Sequence, residues 1–390
     1  MAWKDVNVDE QRMRFVLRAV SGKEEMAGLC REFGISRPTG YHWRKRFLES
    51  ERIEEVREKS RRPLRSPGKT STEVEARVIA EREQRPDWGA RKLRVLLERE
   101  GIRVKPWTLH RILQRNDLIQ ARHRHPPALK RFQREKANQL WQMDFKGLAK
   151  NLSQGWAPLS ILDDCSRYVV GLQALRGTKS KPVQQTLEAI FEQNGMPEAM
   201  LLDHGTPWWN ANHPSGWTKL SIWLMNQNIQ LHFSAIRHPQ TQGKVERFHR
   251  SLEDALHERG FPAEKEDWPP WLERFRQEYN EVRPHEALGM ATPASVWQPS
   301  SQKYAATLPG WEYGAEAQVA KVRTWGQVTV ARHDYTVSGA LAGQWVELQP
   351  LGTDRMLVYY RRTCIREFNL QKRQSYPVYF SREQPVFEDE

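Results

Sequence analysis

The order of apolar and polar positions in the middle of the chain predicts a strand that carries an acid. In residues 140–146, Trp141, Met143 and Phe145 would lie on one face and Asp144 on the other, because successive strand side chains alternate. We therefore expect the carboxylate of Asp144 to project away from the apolar side.

Two further acids accompany apolar segments of different kinds. Asp203 comes directly after Ala199–Leu202, a continuous apolar run typical of a strand covered on both faces. Glu246 lies in a helical pattern, because Val245, Phe248 and the leucines after them repeat at helical spacing while Glu246 falls on the adjoining face. Two strands and a helix can thus bring three carboxylates together.

These carboxylates match the ligand preference of Mg²⁺, a hard cation that binds oxygen and keeps several waters. Two such ions about 3.5–4 Å apart can activate the attacking oxygen and stabilise the leaving oxygen of a phosphodiester displacement. In that arrangement Asp144 would bridge both ions, and Asp203 and Glu246 would each complete one site. We expect two Mg²⁺ ions per active site, with Mn²⁺ able to substitute.

Helical patterns near the amino terminus predict a helix-turn-helix in residues 1–56. Gln11–Val20 and Glu24–Phe33 form two helices, Gly34 can end the second, and Ser36 can cap a third. The last helix of this motif usually enters the major groove of DNA. Its candidate DNA contacts are Arg37, Tyr41, His42, Arg44, Lys45 and Arg46.

A second helical module and two basic connectors follow. Residues 57–71 and 121–136 combine Arg and Lys with Pro, which indicates extended segments. Between them, three helices, the last at Pro106–Gln114, predict a winged or plain helix-turn-helix over residues 72–120. The candidate DNA contacts in these segments are Arg61, Arg62, Arg65, Lys69, Thr108, Arg111, Arg115, Arg122 and Arg124.

The carboxyl-terminal part changes to short apolar segments separated by turn residues. They predict six strands between residues 318 and 368. A small all-β barrel over residues 315–372 is the simplest arrangement, and we expect the tail from residue 381 to be frayed.

Charge and composition support a DNA-binding protein. The net charge is +13, and residues 1–136 carry 34 Lys and Arg against 20 Asp and Glu, so the basic third is the expected nucleic-acid anchor. The three Cys are widely scattered, which favours a reducing compartment over a disulfide or zinc framework. Without a signal pattern or a membrane-spanning run, we expect a cytoplasmic, nucleoid-associated bacterial protein.

Three segments in chain order resemble the catalytic core of retroviral-integrase-like transposases from bacterial insertion sequences. The segments are LLDHGTPW at 201–208, HPQTQGKVERFHR at 238–250 and YNEVRPHEALGMATP at 279–293. The resemblance covers roughly residues 137–300 and implies an α/β ribonuclease-H-like fold. It also implies a catalytic triad of Asp144, Asp203 and Glu246.

The chain departs from these relatives in two places. The 42 residues between Asp203 and Glu246 exceed the usual spacing, and we expect their Trp-rich insertion at 208–217 to be a surface loop. Many relatives have a basic, DNA-contacting residue two helical turns after the catalytic Glu, where this chain has Glu253. Arg250 could substitute. The other candidate DNA contacts in the core are His238 and Lys244.

Asp163 and Asp164 are rival acids. Their position between the strand-like segments 159–162 and 168–172 predicts a hairpin turn, where Asp is favoured through backbone hydrogen bonds. We therefore expect a role in the turn. For His238 two interpretations stay open: a neighbour of the active site that contacts phosphate, or a loop residue.

The sequence thus predicts a multidomain transposase with all-α helix-turn-helix modules, an α/β core and an all-β barrel. The helical modules would bind the terminal inverted repeats of an insertion sequence, and the core would cut and join DNA. Its partners would be double-stranded DNA and further copies of the chain. Two alternatives stay open: a DNA-binding regulator with an inactive core, and a ribonuclease-H-like nuclease that does not join.

Overall fold

The computed structural model divides the chain into two compact units, Met1–Thr70 and Ser71–Glu390. The described residues are 8–50, 52–56, 70–119, 133–147, 155–210, 215–234, 242–307 and 310–381. Outside them lie the candidate DNA contacts Arg61, Arg62, Arg65, Lys69, Arg122, Arg124 and His238.

The first unit contains three helices, α1 (Val8–Ser21), α2 (Met26–Glu32) and α3 (Arg37–Ser50). Gly34 has a positive φ of 69° in the turn after α2. The Ser36 hydroxyl accepts a hydrogen bond from the Thr39 amide at 3.3 Å and so caps α3. Phe15 and Trp43 are buried between the helices. This is the predicted helix-turn-helix.

The second unit begins with another helical module, formed by α4 (Thr72–Gln84), α5 (Ala90–Arg99) and α6 (Pro106–Arg115). The Ser71 hydroxyl caps α4 by accepting the Val74 amide at 3.3 Å, and Pro106 occupies the first turn of α6. Trp88 is buried in its core. Residues 70–119 are all described and contain no strand, so these three helices have no wing within that range.

A five-stranded sheet, ordered β3-β2-β1-β4-β7, forms the centre of the second unit. The strands in chain order are β1 (Leu140–Phe145), β2 (Ala157–Asp163), β3 (Val169–Leu175), β4 (Ala199–Leu202), the short pair β5 (Trp209–Asn210) and β6 (Gly216–Trp217), and β7 (Gln230–Phe233). β1, β2 and β3 pair antiparallel, whereas β4 and β7 extend the sheet in parallel with β1. The acid-bearing strand β1 is therefore central, as its burial requires.

Helices cover both faces of this sheet. They are α7 (Ser180–Asn194), α8 (Lys219–Asn226), α9 (Gly243–Arg259), α10 (Trp268–Gln277) and the short α11 (Pro293–Val296). Leu187 of α7 packs in the cluster that contains Met143, and Phe248 of α9 packs in a second cluster with Leu162. The result is the α/β core that was expected. Among the described residues, no helix has the length and apolar character needed to cross a membrane.

The carboxyl-terminal part is a small all-β domain. Its strands are β8 (Val319–Lys321), β9 (Gln327–Val330), β10 (His333–Thr336), β11 (Trp345–Leu351), β12 (Arg355–Tyr360), β13 (Thr363–Asn369) and β14 (Gln374–Ser381). They pair as a five-stranded sheet, β14-β13-β12-β11-β8, and a hairpin, β10-β9. β14 is additional to the six strands that the sequence predicts.

The three tryptophans in the described residues of the Trp-rich insertion, 208–210 and 215–217, are buried, so the expectation of a surface loop is wrong for these residues. Trp208, Trp209 and Trp217 are 1%, 7% and 4% exposed. The Trp217 indole donates to the carbonyl of Ile365 on β13 at 3.5 Å, and its ring packs against Phe233 of β7. The insertion is buried because the all-β domain covers it, and one apolar cluster runs from the α/β core into that domain.

Candidate active site

Asp144 lies near the end of β1 with its side chain 24% exposed. Its Oδ1 accepts the Phe145 amide at 2.8 Å. Burial, followed by the charges of Asp203 and Glu246, raises the pKa of Asp144 to about 7. The fold therefore brings three carboxylates within electrostatic reach of one another.

Asp203 comes immediately after β4 at the same edge of the sheet. Gln142 of β1 pairs in parallel with Leu201 of β4, so Asp144 and Asp203, each two residues further on, end adjacent strands together. This is the edge at which parallel strands commonly present functional groups. The Oδ1 atom of Asp203 accepts hydrogen bonds from the Trp208 indole at 2.6 Å and the Gly205 amide at 3.0 Å.

Glu246 is exposed in the first turn of α9. Two contacts fix α9 against the sheet: Gln142 Oε1 accepts the Val245 amide at 3.2 Å, and the His249 Nε2 lies 3.0 Å from the Ser160 hydroxyl. The His249 Nδ1 lies 3.7 Å from Asp144 Oδ2. Burial, with a smaller contribution from the nearby Lys146, lowers the pKa of His249 to about 3, so this imidazole is neutral at pH 7.

Carboxylate oxygens are donors that suit divalent cations such as Mg²⁺. Among the described residues, no three His, Cys, Asp or Glu side chains surround one point closely enough to hold a metal ion together. Mg²⁺ needs no such cage, and Asp144, Asp203 and Glu246 are the residues that would hold it. Mg²⁺ is commonly bound in this way, through one or two carboxylates, waters and substrate phosphate oxygens. The charges of Asp203 and Glu246 add to burial in raising the pKa of Asp144, whereas the nearby Lys146 charge lowers it.

The sequence was also compared with known protein families. Two models described as "Integrase core domain" match residues 134–239 and 227–293. Residues 134–293 of the chain are therefore similar to integrase core domains. A "Helix-turn-helix domain" model matches residues 11–63, and a "Homeodomain-like domain" model matches residues 39–113. These matches confirm the resemblance to insertion-sequence transposases of the retroviral-integrase-like superfamily.

A curated relative supports the same assignment. The chain is 25% identical over 226 residues to "Insertion element IS407 uncharacterized 31.7 kDa protein" of Burkholderia multivorans. The alignment covers 56% of this chain and 78% of that protein. Together with the family matches, this similarity identifies a transposase with helix-turn-helix domains and a nucleotidyl-transferase-type integrase core.

Asp163 and Asp164 lie at the turn after β2, as predicted, and their carboxylates are held there by hydrogen bonds and an ion pair. Asp163 accepts hydrogen bonds from the amide and hydroxyl of Ser166 and from the Asn138 amide. Asp164 is fully buried and forms an ion pair with Lys244. The ammonium group of Lys244 is held in this pair and its side chain is 15% exposed, and Lys244 stays a candidate DNA contact.

A second ion pair lies beside the triad. Lys146, two residues after Asp144, donates to Glu253 Oε2 at 2.8 Å. Glu253 is the residue at which the chain departs from its relatives. Here this acid on α9 forms an ion pair with Lys146, which directly follows β1. Arg250, also on α9, is exposed and stays a candidate DNA contact.

The YNEVRPH motif joins three parts of the second unit. Asn280 is buried and binds both the amide and the carbonyl of Val169 on β3, at 2.8 and 3.0 Å. Arg283 donates to Asp87 of the second helical module at 2.9 Å, and Arg259 of α9 donates to the same carboxylate at 2.7 and 2.8 Å. These motif residues therefore attach the second helical module to the catalytic core.

The exposed candidates for DNA contact lie mainly on α3. Arg37, Tyr41, His42 and Lys45 are exposed, whereas Arg44 and Arg46 are half-buried, with Arg46 placed over the Trp43 ring. On α6, Arg111 is exposed and Thr108 is half-buried. Arg115 pairs with Glu75 of α4, which indicates a structural role for this candidate.

Three residues near functional surfaces were not singled out by the sequence pattern. His249 and Trp208 contact the triad, but an isolated His on a helix or a Trp in an insertion gives no signal of its own. Trp107 is 76% exposed at the start of α6. Its position in the first turn of a possible recognition helix was the signal that could have revealed it.

Proposed function

We propose that this protein is a transposase that binds the terminal inverted repeats of an insertion sequence, cuts a strand at the element boundary and joins it to target DNA. The observation that carries the proposal is that Asp144 and Asp203 end adjacent strands at one edge of the sheet, where burial, followed by the charges of Asp203 and Glu246, raises the pKa of Asp144 to about 7. Neighbouring carboxylates of this kind are suited to divalent cations and to phosphodiester chemistry.

In this mechanism the protein supplies position and charge. Asp144, Asp203 and Glu246 would hold the divalent ions. Bound Mg²⁺, or Mn²⁺ in its place, would activate the attacking oxygen and stabilise the leaving oxygen. The attacking group is water in the cleavage step and the freed 3′-OH in the joining step. Neutral His249 fills the space beside Asp144 without adding a charge that would compete with metal.

DNA recognition is assigned to the helical modules. The candidate residues of α3, including Arg44, together with Arg111 and Thr108 of α6, are the candidates for groove contacts, and Arg250 lies one helical turn after Glu246 on α9. The basic connectors at 57–71 and 121–136 would follow the phosphate backbone, as their sequence predicts. We also propose that copies of the chain pair two element ends, because one triad serves one strand at a time.

The all-β domain is proposed to close as a small barrel. The Arg323 amide donates to the Gln327 carbonyl at 2.8 Å between β8 and β9, and the Ser375 hydroxyl donates to the Thr336 carbonyl at 2.6 Å between β14 and β10. These bonds link the edges of the two sheets. The full division into six segments, 1–56, 57–71, 72–120, 121–136, 137–300 and 315–372, is likewise our proposal.

The test is a product analysis on the full chain. A labelled DNA end of the element and a supercoiled plasmid are incubated with the protein, with and without Mg²⁺. We expect nicked ends and end-to-plasmid joints that both require the metal. Cut ends without joints would favour a nuclease, and specific binding without either product would favour a regulator.

A further inference from the structure

Trp208 contacts Asp203 and Phe145, the residue that follows Asp144. It is 1% exposed, and its indole nitrogen donates to Asp203 Oδ1 at 2.6 Å. The Gly205 amide donates to the same oxygen at 3.0 Å. Both hydrogen bonds thus fall on Oδ1 and leave Oδ2 as the oxygen available to a cation.

The same indole ring also packs against the neighbour of Asp144. It stacks on Phe145 with ring centroids 5.6 Å apart and an interplanar angle of 13°. The amide of Phe145 donates to Asp144 Oδ1 at 2.8 Å. One rigid side chain therefore connects the end of β1 with the turn after β4, where two of the acids lie.

Gly205 lies close against the Asp203 carboxylate. A Cβ atom at Gly205 would lie 2.8 Å from Asp203 Oδ2 and 3.0 Å from Oδ1, which is too close for a larger residue without displacing the carboxylate. Next to Trp208, the ring of Trp209 packs against Phe233 of β7 and against Trp217, whose indole donates to the Ile365 carbonyl of the all-β domain at 3.5 Å.

We propose that Trp208 is a positioning residue that holds Asp203 in the orientation needed to bind a divalent ion. The inference rests on the proposed metal site. Hydrogen-bond partners of ligating carboxylates fix the ligand orientation, and their loss typically lowers metal affinity about 10- to 100-fold. The insertion therefore has a function in the active site besides filling the core.

The closing experiment measures Mn²⁺ binding to the full chain by calorimetry in the absence of DNA. Trp208→Phe keeps an aromatic ring on Phe145 but removes the indole donor. We expect its Mn²⁺ affinity to fall at least about tenfold. Trp141→Phe is the matched control, because Trp141 is equally buried on β1 but donates to the neutral Asn138 side chain at 3.1 Å. Its affinity should stay within about twofold of the wild type.

Asp203→Asn is the reference variant for the metal site itself. It should weaken Mn²⁺ binding at least as much as Trp208→Phe does. If Asp203→Asn weakens binding while Trp208→Phe does not, the role of Trp208 is refuted and the metal site stands. If Trp141→Phe loses as much affinity as Trp208→Phe, the effect is general destabilisation and the proposal fails. Wild-type affinity in Asp203→Asn would contradict the metal site and, with it, the role of Trp208.

Discussion

The fold disfavours the charged form of the Asp144 carboxyl group. Burial and the neighbouring carboxylates raise its pKa to about 7 from an unfolded value near 3.8. Folded protein therefore retains this proton over a pH range in which the unfolded chain has lost it. The stabilising effect is complete below pH 4 and disappears as the pH rises through 7.

We therefore expect Asp144→Asn to melt several degrees higher than the wild type at pH 8 without metal, and at the same temperature near pH 4. Thermal unfolding at both pH values checks this. Mg²⁺ should raise the melting temperature of the wild type at pH 8 and leave the variant unchanged. A lower melting temperature for the variant at pH 8 would mean that Asp144 is not repelled by its neighbours.

Asp164 should act on stability alone. Asp164→Asn removes the anionic partner of Lys244, whose side chain is only 15% exposed, and breaking such a buried pair costs about 3 kcal/mol or more. We expect a clearly lower free energy of unfolding in urea and unchanged Mn²⁺ affinity at temperatures where the variant is folded. Loss of Mn²⁺ affinity at wild-type stability would make Asp164 a rival ligand.

At the scale of elements, apolar periodicity predicts the helices and the central strands well. The helical repeat of Val245 and Phe248 and the run before Asp203 correspond to α9 and β4. The Trp-rich insertion was misjudged because its burial depends on Ile365, which lies 148 residues further along the chain. Such a partner leaves no local pattern in the sequence.

Recognition of the element end should depend on α3. Arg44→Ala should weaken binding to the terminal repeat and reduce the dependence of log affinity on log salt by about one unit, if the guanidinium contacts phosphate. Arg14→Ala on α1 is the matched control, because it removes the same charge from an exposed pair with Glu10. Fluorescence anisotropy over a salt series measures both. Equal effects of the two substitutions would argue against α3 as the recognition helix.

At the scale of the whole molecule, the second helical module is part of the catalytic unit. Asp87 is 2% exposed between Arg259 and Arg283, and Arg99 donates to the Val282 carbonyl at 3.1 Å. Burial alone would raise the pKa of Asp87, but the two arginine charges outweigh it and lower the pKa. The sequence predicts the module but not this attachment, because Asp87 is separated along the chain from Arg259 by 172 residues and from Arg283 by 196.

Asp87→Asn should loosen this attachment. The change leaves buried Arg283 without its anionic partner, while half-buried Arg259 keeps its pair with Glu278, and we expect a loss of about 3–5 kcal/mol of stability. Hydrogen exchange should then increase in α5, α6 and residues 278–285, while α1–α3 keep wild-type protection. Unchanged exchange in those segments would show that the module is held by other contacts.

The central claim is that Asp144, Asp203 and Glu246 carry out the DNA chemistry. The most direct measurement compares Asp144→Asn, Asp203→Asn and Glu246→Gln with the wild type and with Asp163→Asn, using one labelled element end for both binding and strand joining in Mg²⁺. The account predicts that each triad variant loses cleavage and joining but keeps end binding, whereas folded Asp163→Asn retains both. Near-normal joining by any triad variant would contradict it.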